Sequence, residues 1–276
     1  MSQPSPEIAR SIRTGGFNTN CHDLGQGRPV ILIHGSGPGV TGWANWRLVM
    51  PELARQRRVL APDMVGFGYT DRPAGFTYDR AAWVRQLLDL MDALALPQVD
   101  IVGNSFGGAI ALALAIQHPE RVGRFVLMGS AGLTFPVTDG LAAVWGYEPS
   151  LAAMRGLLDI FAHDRSLVTD ELAELRYQAS IRPGFQESFA ALFPRPHQRW
   201  LDALGSEPDD ITRVRHEVLI VHGRDDRVVP LDVSLRLHQL IARSQLHVFG
   251  QCGHWAQIEH AGRFNKLVAD FLAEAA

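Results

Sequence analysis

The stretch Asp100-Ile-Val-Gly-Asn-Ser-Phe-Gly-Gly108 decides the fold. It begins as the apolar end of a strand, and residues 106–117 continue as a helix-favouring, mostly apolar segment. Gly103 and Gly107 stand two residues either side of Ser105, and only small residues let a chain turn so sharply from strand to helix. Such a turn lifts the hydroxyl above the sheet and points backbone N–H groups at an anion formed there. We predict a nucleophilic serine, against the alternative of a glycine-rich turn with an incidental serine.

Short apolar segments alternate with segments of helical periodicity along most of the chain. Apolar runs of three or four residues are typical of strands covered on both faces, and they occupy residues 30–33, 58–61, 100–102, 125–128, 218–221 and 246–249. Apolar residues at helical spacing lie between them, at residues 46–54, 81–94, 106–117, 233–241 and 261–272. The alternation predicts an α/β fold, with a mostly parallel central sheet and helices on both faces. We expect residues 17–24 to add an antiparallel strand at the edge.

Residues 133–205 break this alternation, because they contain helical pieces without a convincing buried strand. Prolines separate the pieces, at Pro136, Pro149, Pro183, Pro194 and Pro196. We interpret residues 133–205 as a helical lid, inserted into a core formed by residues 1–132 and 206–276. Ligands of open α/β sheets bind outside the carboxyl ends of the strands. The lid is therefore expected to cover that edge and to turn some of its large apolar side chains toward a pocket.

Two more polar segments follow predicted strands, as Ser105 does. His222-Gly-Arg-Asp-Asp-Arg-Val-Val-Pro230 comes after the strand at 218–221, and Gly250-Gln-Cys-Gly-His-Trp255 after the strand at 246–249. A serine hydroxyl needs a base to attack a carbonyl, and the base needs an orienting carboxylate. The order serine, acid, histidine predicts a triad of Ser105, Asp225 or Asp226, and His254.

A second glycine-rich stretch, Ile33-His-Gly-Ser-Gly-Pro-Gly39, follows the first predicted buried strand. A loop in this position is expected to supply one oxyanion N–H. We place Ser36 and Gly37 at the oxyanion hole, opposite the backbone N–H of Phe106, and expect His34 to support the loop through hydrogen bonds. A phosphate-binding loop is the competing interpretation, but these glycines carry neither the Lys-Ser/Thr pair nor the Gly-x-Gly-x-x-Gly spacing of such sites.

Composition and charge narrow the class of protein. A chain of 276 residues can bury the core of one large domain with an inserted subdomain. The 26 basic and 29 acidic side chains nearly balance, and no basic block indicates nucleic acid or a membrane surface as a partner. Residues 1–6 predict no export signal, and no apolar run approaches the ~20 residues that span a bilayer. Cys21 and Cys252 lack metal-ligand spacing, so we expect reduced thiols in a cytoplasmic protein.

Four motifs together resemble the meta-cleavage product hydrolases, which are C–C bond hydrolases of aromatic degradation in the α/β-hydrolase superfamily. They are His34-Gly-Ser-Gly-Pro-Gly39, Trp43-Ala-Asn-Trp46, Gly103-Asn-Ser-Phe-Gly-Gly108 and Cys252-Gly-His-Trp-Ala-Gln257. The resemblance runs from about residue 7 to the C-terminus and includes the lid stretches 141–149 and 179–189. It is nearest the branch that takes ring-fission products of monocyclic catechols.

This resemblance implies a role for each member of the triad. Ser105 is the nucleophile, and His254 is the base and acid. Asp226 rather than Asp225 orients the histidine, because the family's acid stands four residues before a proline, here Pro230. The implied reaction needs neither a metal nor an organic cofactor.

The resemblance also implies how a substrate is bound. Asn45 and Asn104 are expected near the dienoate end of the substrate, although Asn104 could instead brace the turn at the serine. Arg176 is expected to bind the carboxylate, with Arg182 as its rival because the lid alignment is loose, and either could be an ordinary surface arginine. The expected apolar wall around the C6 substituent comprises Phe106, Leu141, Trp145, Val228, Val229 and Trp255.

The implied activity is hydrolysis of the C5–C6 bond of 2-hydroxy-6-oxo-hexa-2,4-dienoates, such as 2-hydroxymuconate semialdehyde, to 2-hydroxypenta-2,4-dienoate and a small carboxylic acid. A homo-oligomer is also expected. A carboxylesterase or a ligand-binding receptor could carry the same triad, whereas Ser105 argues against dehalogenases and epoxide hydrolases with a carboxylate nucleophile. Whether hydrogen, methyl or a larger alkyl group is preferred at C6 depends on the size of the lid pocket.

Overall fold

The computed structural model describes residues 5–274. Residues 1–4 and 275–276 lie outside the described residues, and the first of these ranges belongs to the segment predicted to lack an export signal. One sheet contains the strands of the described chain, which are β1 (Arg10–Thr14), β2 (Phe17–Leu24), β3 (Pro29–Ile33), β4 (Arg58–Pro62), β5 (Val99–Asn104), β6 (Val122–Met128), β7 (Val218–Gly223) and β8 (Ser244–Phe249). Their order across the sheet is β1-β2-β4-β3-β5-β6-β7-β8. Strands β4, β3 and β5 to β8 pair in parallel, while β1 and β2 are antiparallel. The predicted fold class is confirmed.

One strand was not predicted, and it changes the position of another. The segment predicted at 17–24 is antiparallel, as expected, but it does not lie at the edge of the sheet. β1 occupies that edge and pairs with β2 from Arg10 to Thr14 through the two-residue turn at Gly15 and Gly16. The prediction of an edge position for residues 17–24 was therefore wrong.

The helices of the described chain are α1 (Gly42–Trp46), α2 (Met50–Leu53), α3 (Arg80–Ala93), α4 (Phe106–Gln117), α5 (Asp139–Trp145), α6 (Leu151–Phe161), α7 (Asp170–Ser180), α8 (Phe185–Leu192), α9 (Gln198–Leu204), α10 (Pro208–Ile211), α11 (Leu231–Leu240), α12 (Ala256–Glu259) and α13 (Ala261–Ala273). The single helix predicted at 46–54 is divided into α1 and α2. Pro51 lies in the first turn of α2, where the N–H that proline lacks would have no helical partner. Within residues 5–274, no helix is long and apolar enough to cross a membrane.

Alternate residues of the central strands face opposite sides of the sheet, and each side packs a different set of helices. Ile31 and Ile101 belong to one buried cluster with residues of α3, α4 and α11, while Leu32 and Val102 belong to another with residues of α2 and α13. Covering both faces buries the centre of the sheet, and all six residues of β5 are buried. The functional groups must therefore project from the ends of the strands.

Between β6 and β7 the described chain forms α5 to α10 without a strand. These helices pack onto the core through side chains such as Leu141, Trp145 and Phe193, which share a buried cluster with α3 and α4. The helical content agrees with the predicted lid, while the boundaries at 133 and 205 remain a prediction.

Candidate active site

Ser105 occupies the sharp turn between β5 and α4. Its φ of 53° and ψ of −115° lie where residues other than glycine are strained. Two glycines make the turn possible by close approach: a Cβ on Gly107 would lie 2.3 Å from the Ile33 carbonyl oxygen, and one on Gly103 would lie 2.5 Å from the Gly107 carbonyl oxygen. The strain at Ser105 is therefore held in place by tight backbone packing around it.

Asp226 and His254 come together from the loops after β7 and β8. The imidazole Nδ1 of His254 lies 2.7 Å from Oδ2 of Asp226, and the two side chains are 4% and 1% exposed. The other carboxylate oxygen of Asp226 accepts hydrogen bonds from the backbone N–H groups of Val228 and Val229, at 2.7 and 3.0 Å. Asp225, by contrast, has a side chain 31% exposed, directed toward His163. The acid in contact with the histidine is thus Asp226.

A second histidine, His222, also faces Asp226. It is fully buried, with Nε2 3.4 Å from Oδ2 of Asp226 and Nδ1 2.7 Å from the Ser234 hydroxyl. Burial by itself would raise the pKa of the Asp226 carboxyl, but His254 and His222 outweigh it and hold that pKa well below its usual range. Asp226 is therefore ionised and able to orient the His254 ring. His222 was not predicted, although it stands in the quoted segment four residues before the acid.

Gly129, which directly follows β6, lies between the serine turn and the Asp226–His254 pair. The backbone N–H of Ser105 donates to the carbonyl of Met128 at 2.8 Å. A Cβ on the next residue, Gly129, would lie 3.3 Å from both Oδ2 of Asp226 and Nδ1 of His254. The structure therefore brings Ser105, Asp226 and His254 to one edge of the sheet, at the carboxyl ends of β5, β7 and β8.

The loop after β3 lies against the serine turn. A Cβ on Gly35 would be 2.9 Å from Oδ1 of Asn104 and 3.6 Å from Cβ of Ser105. His34 supports this loop: its Nε2 accepts the Met64 N–H at 2.9 Å, and its Nδ1, which must then carry the proton, donates to the Gly35 carbonyl at 2.7 Å. Burial lowers the pKa of His34 to about 4, so the ring is neutral at physiological pH.

Backbone donors remain free around Ser105. No described residue accepts a hydrogen bond from the backbone N–H of Ser36, Gly37 or Phe106. Phe106 is the first residue of α4, where helical N–H groups have no partner within the helix. The hydroxyl of Ser36 accepts the indole N–H of Trp145 at 3.0 Å, which fixes the loop beneath the lid. These groups can donate to a negatively charged oxygen formed next to Ser105.

A cavity of about 150 Å³ adjoins this cluster. Gly37 of the loop and Trp255 next to His254 are among its lining residues. Its polar lining consists of Asn45, Arg47, Arg176 and Gln257, and its apolar lining includes Met154, Leu158, Phe161, Leu167, Leu172 and Ile258. Of the predicted substrate-binding residues, Asn45, Arg176 and Trp255 therefore face this cavity.

The other predicted substrate-binding residues lie outside its lining. Asn104 is buried and donates from Nδ2 to the Met128 carbonyl at 3.4 Å, which braces the serine turn. The ring of Trp145 stacks on Phe193 at 4.3 Å. Leu141, Val228 and Val229 are buried in the core cluster that also holds Phe106. Their contribution to a C6 pocket remains a prediction.

The two candidate arginines differ in their surroundings. Arg176 of α7 lines the cavity and donates to the Pro38 carbonyl at 3.2 Å. Arg182 instead forms an ion pair with Glu7, and its guanidinium lies 5.5 Å from the Tyr69 ring centre.

Phe161 and Arg47 contribute to the site but were not among the predicted site residues, although Phe161 is one of the large apolar side chains of the predicted lid. Phe161 ends α6; its ring stacks on Trp255 at 4.9 Å and on His254 at 5.9 Å, and its carbonyl accepts the His254 N–H at 2.7 Å. Nothing local in the sequence distinguishes it from other lid aromatics. Arg47 directly follows α1, two residues after Asn45, and residues two apart do not share a helix face, so helical spacing did not indicate it.

Comparison with known proteins agrees with this arrangement. A family model described as the alpha/beta hydrolase fold matches residues 28–261. A 2-hydroxymuconate semialdehyde hydrolase from Pseudomonas sp. strain CF600 is 67% identical over 99% of this chain and 96% of its own. A 2-hydroxy-6-oxo-2,4-heptadienoate hydrolase from Pseudomonas putida strain F1 is 64% identical, with 99% of each chain covered.

A solved structure shows the same similarity over nearly the whole length. A mutant of the meta-cleavage product hydrolase CumD from Pseudomonas fluorescens IP01, complexed with acetates, superposes with a TM-score of 0.97 at 61% identity, covering 98% of this chain and 99% of that one. The chain belongs to the α/β-hydrolase family and, within it, to the meta-cleavage product hydrolases.

Proposed function

We propose that this protein hydrolyses the C5–C6 bond of 2-hydroxy-6-oxo-hexa-2,4-dienoates, including 2-hydroxymuconate semialdehyde and its close 6-alkyl analogues. The observation that carries the proposal is a serine turn and an Asp226–His254 pair beside a cavity with two arginines in its lining. The relatives named above act on substrates of this class according to their names. The reaction belongs to the degradation of monocyclic aromatic compounds.

The cavity fits the dienoate end of such a substrate. Arg176, a half-buried residue of the lid helix α7, lines the cavity and can bind the 1-carboxylate through several N–H donors. Arg182 is already paired with Glu7, which supports Arg176 as the carboxylate-binding arginine. Asn45 holds the loop by accepting the Gly35 N–H at 3.3 Å, and its buried Nδ2 has no partner among the described residues. This amide without a partner supports the proposed contact of Asn45 with the dienoate.

Cleavage requires that the departing carbon be stabilised. In the dienol form the C5–C6 bond is not labile, but transfer of a proton to C5 gives a keto tautomer. The electron pair of the C5–C6 bond can then leave into the conjugated 2-oxo acid as a dienolate. His254 is the proton carrier at the site, since Asp226 fixes its ring through Nδ1 and leaves Nε2 for chemistry.

Ser105 then attacks the C6 carbonyl, and its proton passes to His254. The resulting oxyanion accepts hydrogen bonds from the free N–H of Phe106 and from that of Ser36 or Gly37; losing one such donor typically costs roughly 2.7–4 kcal/mol of barrier stabilisation. The C5–C6 bond breaks, the dienolate takes the proton from His254 and leaves as 2-hydroxypenta-2,4-dienoate, and an acyl group remains on Ser105. Water activated by His254 releases this acyl group as a carboxylic acid, which is formate when C6 is an aldehyde.

The C6 substituent is proposed to lie against Leu141, Trp145, Val228, Val229 and the Phe106 ring, on the side of Ser105 away from the arginines. The hydrogen bond from the Trp145 indole N–H to the hydroxyl of Ser36, in the loop after β3, supports this position for Trp145. These residues would set the preference among hydrogen, methyl and larger alkyl groups. Discrimination over one methylene is worth only ~1–3 kcal/mol, so overlapping substrate ranges are expected.

We also propose a cytoplasmic location and a homo-oligomeric state. Both cysteines, Cys21 and Cys252, are buried free thiols rather than a disulfide, which supports a reducing compartment. Light scattering during size-exclusion chromatography measures the oligomeric state directly.

The test of the proposed activity is steady-state kinetics of the purified protein. With 2-hydroxymuconate semialdehyde, the yellow colour should disappear over many turnovers, with one formate released per substrate. Turnover of p-nitrophenyl acetate far above dienoate cleavage would instead identify a carboxylesterase. Binding of the dienoate without turnover would identify a ligand-binding protein and contradict the proposal.

A further inference from the structure

Two arginines line the cavity beside Ser105, from different parts of the fold. Arg176 comes from α7 in the lid, and Arg47 directly follows α1 in the core. Both side chains are half-buried. Since both residues line one cavity of about 150 Å³, a single small ligand can contact both.

Each guanidinium makes few contacts with the protein. Arg47 donates from Nη1 to the Ala44 carbonyl at 2.7 Å, and Arg176 donates from Nη2 to the Pro38 carbonyl at 3.2 Å. No carboxylate of the described residues lies within 4.0 Å of either one, and the nearby carboxylate, Glu7, is paired with Arg182. A guanidinium carries five N–H donors, so most of the donor capacity of both remains unused.

This arrangement is unfavourable without an anion. Burial lowers the pKa of Arg47 and brings that of Arg176 to about 10, and the two positive charges act against each other. Both nevertheless stay protonated at neutral pH. Glu7 offsets part of this cost at both arginines, but its carboxylate is already paired with Arg182, so an anionic ligand between the two guanidiniums would offset the remainder.

Resting on the function proposed above, we propose that Arg47 is a second substrate-binding residue, which shares with Arg176 the recognition of the 1-carboxylate and the adjacent 2-oxygen of the dienoate. Two guanidiniums from different elements fit an acid with oxygens on neighbouring carbons better than one does, because each can take a different oxygen. Arg47 would thereby help to select 2-hydroxy and 2-oxo acids over neutral esters.

The test measures charge recognition separately from catalysis. In the Ser105→Ala background, binding of hexa-2,4-dienoate and of its neutral primary amide is followed by tryptophan fluorescence, since Trp255 lines the cavity. We expect Arg47→Gln to weaken binding of the acid roughly 10-fold or more, while binding of the amide changes little. Arg176→Gln should behave likewise. Arg55→Gln removes the same charge from an exposed Arg55–Glu52 pair and should leave both affinities unchanged.

If Arg47→Gln weakens binding of the acid and of the amide equally, Arg47 has a structural role at the end of α1. If it weakens binding of neither, Arg47 has no role in recognition. Either result overturns the inference. If Arg47→Gln does not fold, Arg47→Lys answers the question, because one ammonium cannot replace a planar guanidinium. The acid-to-amide affinity ratio should fall at least ~3-fold, and an unchanged ratio contradicts the inference. If the parent enzyme fails to cleave 2-hydroxymuconate semialdehyde, the proposed function fails, whatever the binding ratios show.

Discussion

His34 is a residue whose protonation state is dictated by its contacts. Only a neutral ring can accept the Met64 N–H at Nε2, and this bond fixes the loop that packs against Ser105. Its hydrogen-bonding role was expected from the sequence, because a histidine beginning a glycine-rich loop after a buried strand has backbone groups on every side. Its depressed pKa could not be predicted, since it depends on complete burial by distant residues.

The depressed pKa of His34 predicts a dependence of stability on pH. The ring titrates near 4 in the folded protein and near 6.5 in the unfolded chain, so between these values the unfolded chain binds the extra proton. Stability should therefore fall as pH drops from about 6.5 to 4, by up to about 1.4 kcal/mol per pH unit from this group.

Urea unfolding at pH 7.5, 6 and 5 measures this slope of stability against pH. His34→Gln can still accept the Met64 N–H but does not titrate, and it should show a shallower slope; identical slopes would contradict the assignment.

At the scale of the element, the junction of β5 with α4 is the most constrained part of the chain. Ser105 is strained, and Gly107 passes so close to β3 that an added methyl group would meet the Ile33 and His34 carbonyl oxygens at 2.3 and 2.7 Å. Because backbone atoms on both sides form the obstruction, neither can move without displacing β3. The sequence pattern predicted this turn, since a reversal this tight between strand and helix requires small residues on both sides of the serine.

Gly107→Ala tests that junction. We expect it to destabilise the protein by several kcal/mol, on the order of 3 or more, and to lower kcat because the Phe106 N–H shifts. Gly156→Ala is the matched control: Gly156 lies within α6, and a Cβ there would meet nothing within 4 Å. It should stabilise the protein by roughly 0.5–1 kcal/mol, since alanine favours a helix. Thermal and urea unfolding of both variants give the comparison, and a Gly107→Ala variant as stable as the parent would refute the packing argument.

Elements with a clear pattern of apolar residues could be predicted from the sequence, and elements without such a pattern could not. The buried strands appear as continuous apolar runs, whereas β1 (Arg-Ser-Ile-Arg-Thr) has a single large apolar residue, Ile12, and so has almost no hydrophobic signal. The Gly15-Gly16 pair before β2 was the available indication of a hairpin.

In the lid, helices were predictable, but which of their side chains face the cavity depends on tertiary packing. Phe161 and Met154 therefore escaped prediction, while Leu141 and Trp145 were chosen by resemblance.

At the scale of the whole molecule, the two ends of β5 serve different purposes. Ser105 follows its carboxyl end, while Asp100, near its start, is fully buried and bonds Arg28 at 2.8 Å and Arg57 at 2.6 Å. Asp100 also accepts the Arg124 backbone N–H at 2.9 Å. The charged cluster at one end of the sheet thus joins β5 to its neighbours, and the opposite end is left for chemistry.

This separation predicts a variant that alters stability without altering substrate affinity. Asp100→Asn should cost about 3–5 kcal/mol of unfolding free energy, because it leaves partly buried arginines without their counter-charge. KM for the dienoate should not change. Asp92→Asn, which removes an exposed partner of Arg121, should change stability by less than about 1 kcal/mol. Urea unfolding measures the stability of both variants, and steady-state kinetics measures their KM. A raised KM in Asp100→Asn would show that the two ends of β5 are coupled.

The convergence of Ser105, Asp226 and His254 was predictable because each follows a strand of one parallel sheet, where carboxyl ends must meet. The choice between Asp225 and Asp226 was not decided by that rule, since either side chain follows β7. The loop conformation that turns Asp226 inward, with Val228 and Val229 donating to it, belongs to the folded structure.

The most direct measurement of the central claim is turnover by Ser105→Ala. If the serine hydroxyl attacks C6, dienoate bleaching should fall by at least ~10⁴-fold, while the substrate still binds with near-parental affinity. Stopped-flow absorbance gives both quantities from one sample. Near-normal turnover in this variant would contradict nucleophilic attack by Ser105.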